Sequence, residues 1–183
     1  LVWSMNGSLM PSGVFDRVIK RGIPLIMHWM GTDVLKAIDA VNKGTAIDHY
    51  RQYAIHLTET EWLRTELMQI DIRPRITVFL GIDPPEIPPA PEAFEILTYL
   101  AKGRERFYGW ERVLGLAKEL PEITFNVVGS DLSGFDIPEN VIAHGWVDDM
   151  STKMSKATLI LRLTEHDGKA NTIIEALAMG KYV

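Results

Sequence analysis

No cysteine occurs anywhere in the chain. That excludes a disulfide framework and any thiolate metal site, and it suits a cytoplasmic protein. No apolar run approaches the ~20 residues of a membrane span. The first residues, Leu1-Val2-Trp3-Ser4-Met5-Asn6-Gly7, lack the basic segment and apolar stretch of a secretory signal. They also lack an initiator methionine, and the expectation is that the chain begins inside a longer protein. Basic charge is scarce. The 19 Lys and Arg are outnumbered by 24 Asp and Glu, and a net charge of −5 argues against a broad nucleic-acid surface. The five histidines are scattered without the H-x-x-x-H spacing of a zinc site. Asp148-Asp149 follows no Asp-x-Asp strand and reads as a helix N-terminus. There is no repeat of fixed period. What remains is an ordinary globular composition, 46% apolar and 23% charged over 183 residues, suited to one domain or two incomplete ones.

Strands and helices alternate along the chain. Ser12-Gly13 precedes a short helix over 14–20, closed by Gly22, and residues 24–29 read as a buried strand. Gly31-Thr32-Asp33 breaks it, with Thr32 as N-cap for a helix over 33–41. Residues 53–57 form another strand. Thr58 or Thr60 caps a helix carrying Trp62, Leu63, Leu67 and Met68, and residues 75–80 form a third strand ending in Gly81-Ile82-Asp83. Beyond residue 91 the pattern restarts with strands over 95–100, 123–129 and 141–146 and helices over 110–120 and 149–156. Such alternation predicts an α/β fold with parallel sheets. Between the halves, residues 84–91 hold five of the ten prolines. That density favours an extended connector and a domain boundary; a surface loop within one domain is the alternative.

The stretch from His166 to Gly180 organises the second half. Before it, residues 157–163 are short, apolar and bounded by polar residues, as in a buried strand. After Gly168, the apolar positions Ala170, Ile173, Ile174, Leu177 and Ala178 have the spacing of a helix with one buried face. Gly180 is placed to end that helix in the left-handed conformation. The unit is therefore strand, glycine-bearing loop, helix. In open α/β sheets such loops bind ligands, and a helix N-terminus suits a phosphate. Asp167 precedes the helix and Glu175 lies about two turns up it. On spacing alone, a capping Asp and a solvent-facing Glu would explain both.

Asp167-x7-Glu175, followed by Ala-Leu-Ala-Met-Gly and Tyr-Val, resembles the E-x7-E signature of retaining glycosyltransferases of the GT-B fold, family 4 type, with Asp where the first Glu is usual. The resemblance runs from about Ile23 onward and is strongest from Phe125 to Val183. It implies two Rossmann-like parallel sheets, both in incomplete domains. Residues 1–83 would be the C-terminal half of the N-terminal acceptor domain, 84–91 the linker, and 92–183 the first part of the nucleotide-sugar donor domain. It further implies transfer of a sugar from a nucleotide-diphosphate sugar to an acceptor, with retention at the anomeric carbon and without a metal or other cofactor. The acceptor, whether glycan, lipid or small molecule, is not indicated, and peripheral membrane association of a full-length protein is left open.

The resemblance also suggests roles. Asp167 would lie beside the donor sugar, Glu175 would hold the ribose hydroxyls, and the amides of Gly168 and Lys169 would meet sugar or phosphate. His166 would bond a sugar hydroxyl or orient the carboxylate. His28 matches a family histidine near the donor sugar and acceptor. Fixed cations stabilise a departing diphosphate, and the loop 101–109 supplies Lys102, Arg104 and Arg106. Tyr108-Gly109 stands there in place of the family's Lys-Gly, and a solvated basic turn is the alternative. Trp146 would either stack on a base or pack in the core. His56 and His144 read as structural. Two other functions stay open: a GT-B UDP-sugar 2-epimerase, and a nucleotide-binding or scaffold module without turnover.

Overall fold

The computed structural model describes residues 1–78 and 86–183. They form two parallel four-stranded sheets with helices between the strands, an α/β, Rossmann-like architecture of the class the sequence predicts. Packing divides the chain into two units, Leu1–Gly81 with His166–Lys169, and Ile82–Glu165 with Ala170–Val183. The expected strand end at 79–80, the turn 81–83 and Pro84-Pro85 lie outside the described residues. Among the described residues no helix is long and apolar enough to cross a membrane.

In the first unit the elements are β1 (Val2–Met5), α1 (Gly13–Lys20), β2 (Leu25–Trp29), α2 (Thr32–Asn42), α3 (Asp48–Tyr53), β3 (Ile55–Thr58), α4 (Glu61–Met68) and β4 (Arg75–Ile76). The sheet order is β1-β2-β3-β4, all parallel. Leu25, Met27, His28 and Trp29 of β2 are all buried. A strand covered on both faces reads as a continuous apolar run, which is why the sequence marks it clearly. Trp29, Val34, Tyr50, Leu63 and Leu67 make the core with it. Ser12 and Thr60 cap α1 and α4 through Phe15 N–H and Leu63 N–H.

Two local expectations change, and one strand appears that the sequence did not mark. Thr32 is the first helical residue of α2, not its cap. Gly31 holds the cap position with φ 158°, and the Asp33 carboxylate accepts N–H bonds from Gly31 at 2.7 Å, Gly7 at 2.7 Å and Met30 at 3.1 Å. Tyr53 ends the six-residue helix α3, not a strand. That helix has no apolar period to announce it, and it is anchored by Tyr50, whose hydroxyl lies 2.7 Å from Asp16 Oδ1. β1 is a four-residue strand at the sheet edge, with Trp3 and Met5 exposed, so it carries little apolar signal.

The second unit holds β5 (Glu95–Tyr99), α5 (Trp110–Glu119), β6 (Thr124–Val128), β7 (Val141–Ala143), α6 (Met150–Lys156), β8 (Leu159–Leu161) and α7 (Asn171–Ala178). Adjacent residues of a strand point to opposite faces. Ile96 accordingly joins Trp110, Val113 and Phe125 in one core cluster, while Leu97 joins Met154, Ile160 and Ala176 in another. The order β7-β6-β5-β8 steps one way from β5 through β6 to β7, then returns to place β8 on the other side of β5. That reversal is a topological switch point, where open α/β sheets bind ligands beyond their carboxyl edge.

Helix α7 ends as its sequence indicates. Gly180 has φ 70°, its N–H bonds Leu177 O at 3.0 Å, and Lys181 N–H bonds Ala176 O at 2.9 Å, a Schellman closure. Its buried face differs from the one expected, for Ala176 and Met179 are buried while Leu177 is 54% exposed. The small Ala176 side chain lets the helix sit against the sheet, which a face centred on Leu177 would not.

Candidate functional site

At the carboxyl edge of the second sheet is a pocket of about 300 Å³. Tyr99 at the end of β5, Val128 and Gly129 at the end of β6, and Arg162 just past β8 form its floor on the strand side. Trp146, Val147 and Met150 wall it, and Asn171 and Thr172 bring in the first turn of α7. That turn has no side-chain cap, and first-turn N–H groups of a helix lack intrahelical partners. The pocket thus combines aromatic surface, a guanidinium and a helix N-terminus. Those are the requirements of a flat ring carrying an anionic tail.

Trp146 is 74% exposed, so core packing is not its role; its indole N–H donates to Asp148 Oδ1 at 3.0 Å. Asp149 caps α6 through Thr152 N–H at 3.0 Å, which accounts for the acidic pair.

The basic loop after β5 is tied down from within. The Glu105 carboxylate accepts the Ser130 hydroxyl at 2.7 Å and the Gly103 N–H at 3.0 Å, and the Ser130 bond is the main reason its pKa is lowered. Lys102 pairs with Asp131 at 2.9 Å; that bond raises the lysine pKa and holds the aspartate well below the usual carboxylate range. Arg106 pairs with Glu111 at 3.4 Å, and Arg104 lies 4.5 Å from the centre of the Phe107 ring. Among the described residues the pocket lining does not include Lys102, Arg104, Arg106 or Glu175. Tyr99 and Arg162 are among the lining residues that sequence reasoning missed, with Val128, Gly129 and Met150. The available signal was Arg162 itself, a charge inside the apolar run 157–163.

His28, His166, Asp167, Gly168 and Lys169 belong to the first unit. His28 is fully buried at the edge of β2. Burial lowers its pKa most, Glu59 and Asp33 act to raise it, and Lys169 lowers it. Lys169 Nζ lies 2.8 Å from Glu59 Oε1, with side chains 13% and 4% exposed. His166 Nε2 lies 2.8 Å from Glu66 Oε2. Asp167 Oδ1 accepts the Gly168 N–H at 3.0 Å, and Asp167 O accepts the Trp62 indole N–H at 2.9 Å. A Cβ on Gly168 would lie 1.9 Å from Met30 O, so only glycine fits. The structure therefore brings His28 and Lys169 together and adds Glu59 and Asp33, which sequence reasoning missed. Each follows the end of a strand within a polar turn, Gly31-Thr32-Asp33 and Thr58-Glu59-Thr60. Asp167 does not cap α7, because the cap position is held by Ala170.

Two successive parallel α/β sheets, the second with its crevice at a switch point, make up the GT-B fold of glycosyltransferases. A solved structure of that fold is S. aureus TarM. The chain matches a point mutant of it, in complex with fondaparinux, α-GlcNAc-glycerol and UDP, with TM-score 0.65 and 15% identity over 92% of this chain and 38% of that one. A second TarM structure matches with TM-score 0.59 and 12% identity over 88% of this chain and 36% of that one. The chain thus spans well under half the length of these neighbours. No family model and no curated protein matches it by sequence.

Proposed function

We propose that the chain is the nucleotide-sugar-binding part of a retaining glycosyltransferase of the family 4 type. The observation that carries this reading is the pocket at the switch point of the second sheet, with Tyr99, Trp146, Arg162 and the first turn of α7 in its lining. The fold likeness to TarM supports it, and the UDP and α-GlcNAc-glycerol held by that protein suggest a nucleoside diphosphate sugar donor and a hydroxyl acceptor. Retention rests on the resemblance of Asp167-x7-Glu175 to the family signature. In this reading Asp167 and His28 serve the sugar-transfer step and Glu175 holds the ribose. Lys102, Arg104 and Arg106 provide positive charge for the diphosphate, and His166, Gly168 and Lys169 serve the sugar or phosphate. The reaction needs no metal, and the protein works in the cytoplasm.

Titration calorimetry of the chain with UDP, GDP, ADP and the parent nucleosides tests the reading. Binding of a nucleoside diphosphate tighter than its nucleoside is the expected result. Absence of binding to all three diphosphates would overturn it. Proton NMR of the product of a transfer reaction, run with and without a chelator, tests retention and metal independence.

A further inference from the structure

We propose that Arg162, held against Tyr108, is the direct anion-binding group of the second unit's pocket and meets the diphosphate of a nucleoside diphosphate there. This inference rests on the nucleotide reading of that pocket and assigns a cation the resemblance does not. Thr98 of β5 is registered with Leu161 of β8, so Arg162 emerges level with Tyr99 at the carboxyl edge of the two strands. Among the described residues it is the one cation in the pocket lining, which it shares with Gly129 and Asn171.

Its position is supported by aromatic rings. The guanidinium carbon lies 5.5 Å from the centre of the Tyr108 ring, within the range of a cation–π contact. Tyr108 in turn packs edge-on against Tyr99, a pocket wall, at 5.5 Å and 77°. Two consecutive contacts thus hold a charge in a pocket that is otherwise mostly apolar. A planar guanidinium offers paired N–H donors that suit phosphate oxygens.

The loop cations differ in kind. The Lys102 and Arg106 side chains are 68% and 82% exposed and face Asp131 and Glu111. Exposed charges of that sort act on an anion through solvent and are screened by salt. They draw an anion toward the pocket, whereas Arg162 touches it.

The experiment is calorimetry on the whole chain with UDP and with uridine, at low salt and at about 1 M salt, where the Debye length is ~3 Å. Arg162→Gln should weaken UDP binding about tenfold or more at both salt concentrations, the loss of a charge-assisted bond, while uridine binding stays within about twofold. Arg162→Lys, which keeps the charge but not the fork, should recover part of the loss. Tyr108→Phe should behave as wild type, and Tyr108→Leu should weaken UDP alone. Lys102→Ala and Arg106→Ala should have effects that fade at high salt. Unchanged UDP affinity in Arg162→Gln, equal losses for UDP and uridine, or a loss that vanishes at high salt would each overturn the assignment while leaving the nucleotide reading standing. Failure of the wild-type chain to bind any nucleoside diphosphate would overturn both.

Discussion

The indole N–H of Trp29 donates to Nδ1 of His56 at 3.0 Å, and Nε2 of the same imidazole lies 2.9 Å from the carbonyl oxygen of Arg51. Together these bonds require the neutral ring with its proton on Nε2. Protonating Nδ1 would set two N–H groups against each other in the core. Burial lowers the His56 pKa, and the Arg51 carbonyl offsets this only in part. Burial and the Lys153 ammonium lower that of His144, which accepts from Lys153 on Nδ1 and bonds Asn126 through Nε2.

Both folded-state pKa values lie below the unfolded value of ~6.5, so the unfolded chain takes up protons first as pH falls. The stability these two groups contribute is complete above about pH 6.5 and is lost as pH drops below it toward the folded pKa values. Urea unfolding should show a lower midpoint at about pH 5.5 than at about pH 7.5. An NMR titration midpoint for His56 at or above 6.5 would remove the argument.

Gly168→Ala should destabilise the chain by about 1–3 kcal/mol, the usual range for overpacking, because its Cβ would meet the Met30 carbonyl oxygen at 1.9 Å and Leu63 Cδ1 at 3.2 Å. Gly115→Ala is the control. Gly115 lies in α5 with nothing within 4 Å of its added Cβ, and alanine there should stabilise by about 0.5–1 kcal/mol. Denaturant midpoints of the two variants should move in opposite directions. A wild-type midpoint for Gly168→Ala would mean that the loop yields without cost.

The two ends of that comparison also show what the sequence could disclose. Elements with a strong apolar period or full burial, such as β2, β5, β6 and α5, are legible because burial on one or two faces dictates residue type along several consecutive positions. The strand-loop-helix unit around Gly168 and the stop at Gly180 are legible for the same reason, joined to glycine's special backbone. β1 and α3 are not, being four and six residues long with few buried side chains. The site is legible only in part. His28 lies near the carboxyl end of β2 and Lys169 in the loop that follows β8, both places the sequence marks, but their partners Glu59 and Asp33 look like ordinary polar turn residues in sequence. Arg162 is hidden by its apolar neighbours, and Lys102, Arg104 and Arg106 attract notice by number although they face Asp131, Phe107, Tyr108 and Glu111.

The pair Lys169–Glu59 should tune His28 with opposite signs. Glu59 raises the His28 pKa and Lys169 lowers it. Glu59→Gln should therefore move the His28 NMR titration further down, and Lys169→Met should move it up. Each single change also breaks a nearly buried ion pair, for which about 3–5 kcal/mol is typical. The double variant should cost less than the sum of the two. A His28 titration that shifts the same way in both variants would show that packing, not charge, sets it.

If the proposed function holds, Asp167→Asn should cut glycosyl transfer while leaving UDP affinity within a few-fold. The bond within its own turn survives the change. Asp167 Oδ1 accepts the Gly168 N–H, and the asparagine carbonyl can accept the same bond. The cap position of α7 is Ala170, so no helix cap is lost. What the substitution removes is the negative charge. In the proposed reaction positive charge builds on the anomeric carbon as the diphosphate departs. A carboxylate that meets this charge gains strength only as the bond breaks, so its loss appears in the rate and not in ground-state binding. Removing one preorganised electrostatic partner typically costs about 10²–10³ in rate. Glu175→Gln should show the reverse pattern, with nucleotide affinity falling first, since a carboxylate on ribose hydroxyls makes charge-assisted bonds of about 1.5–3 kcal/mol each. Wild-type turnover in Asp167→Asn would show that the charge is idle, and the residue's contribution would then reduce to the turn it makes with Gly168.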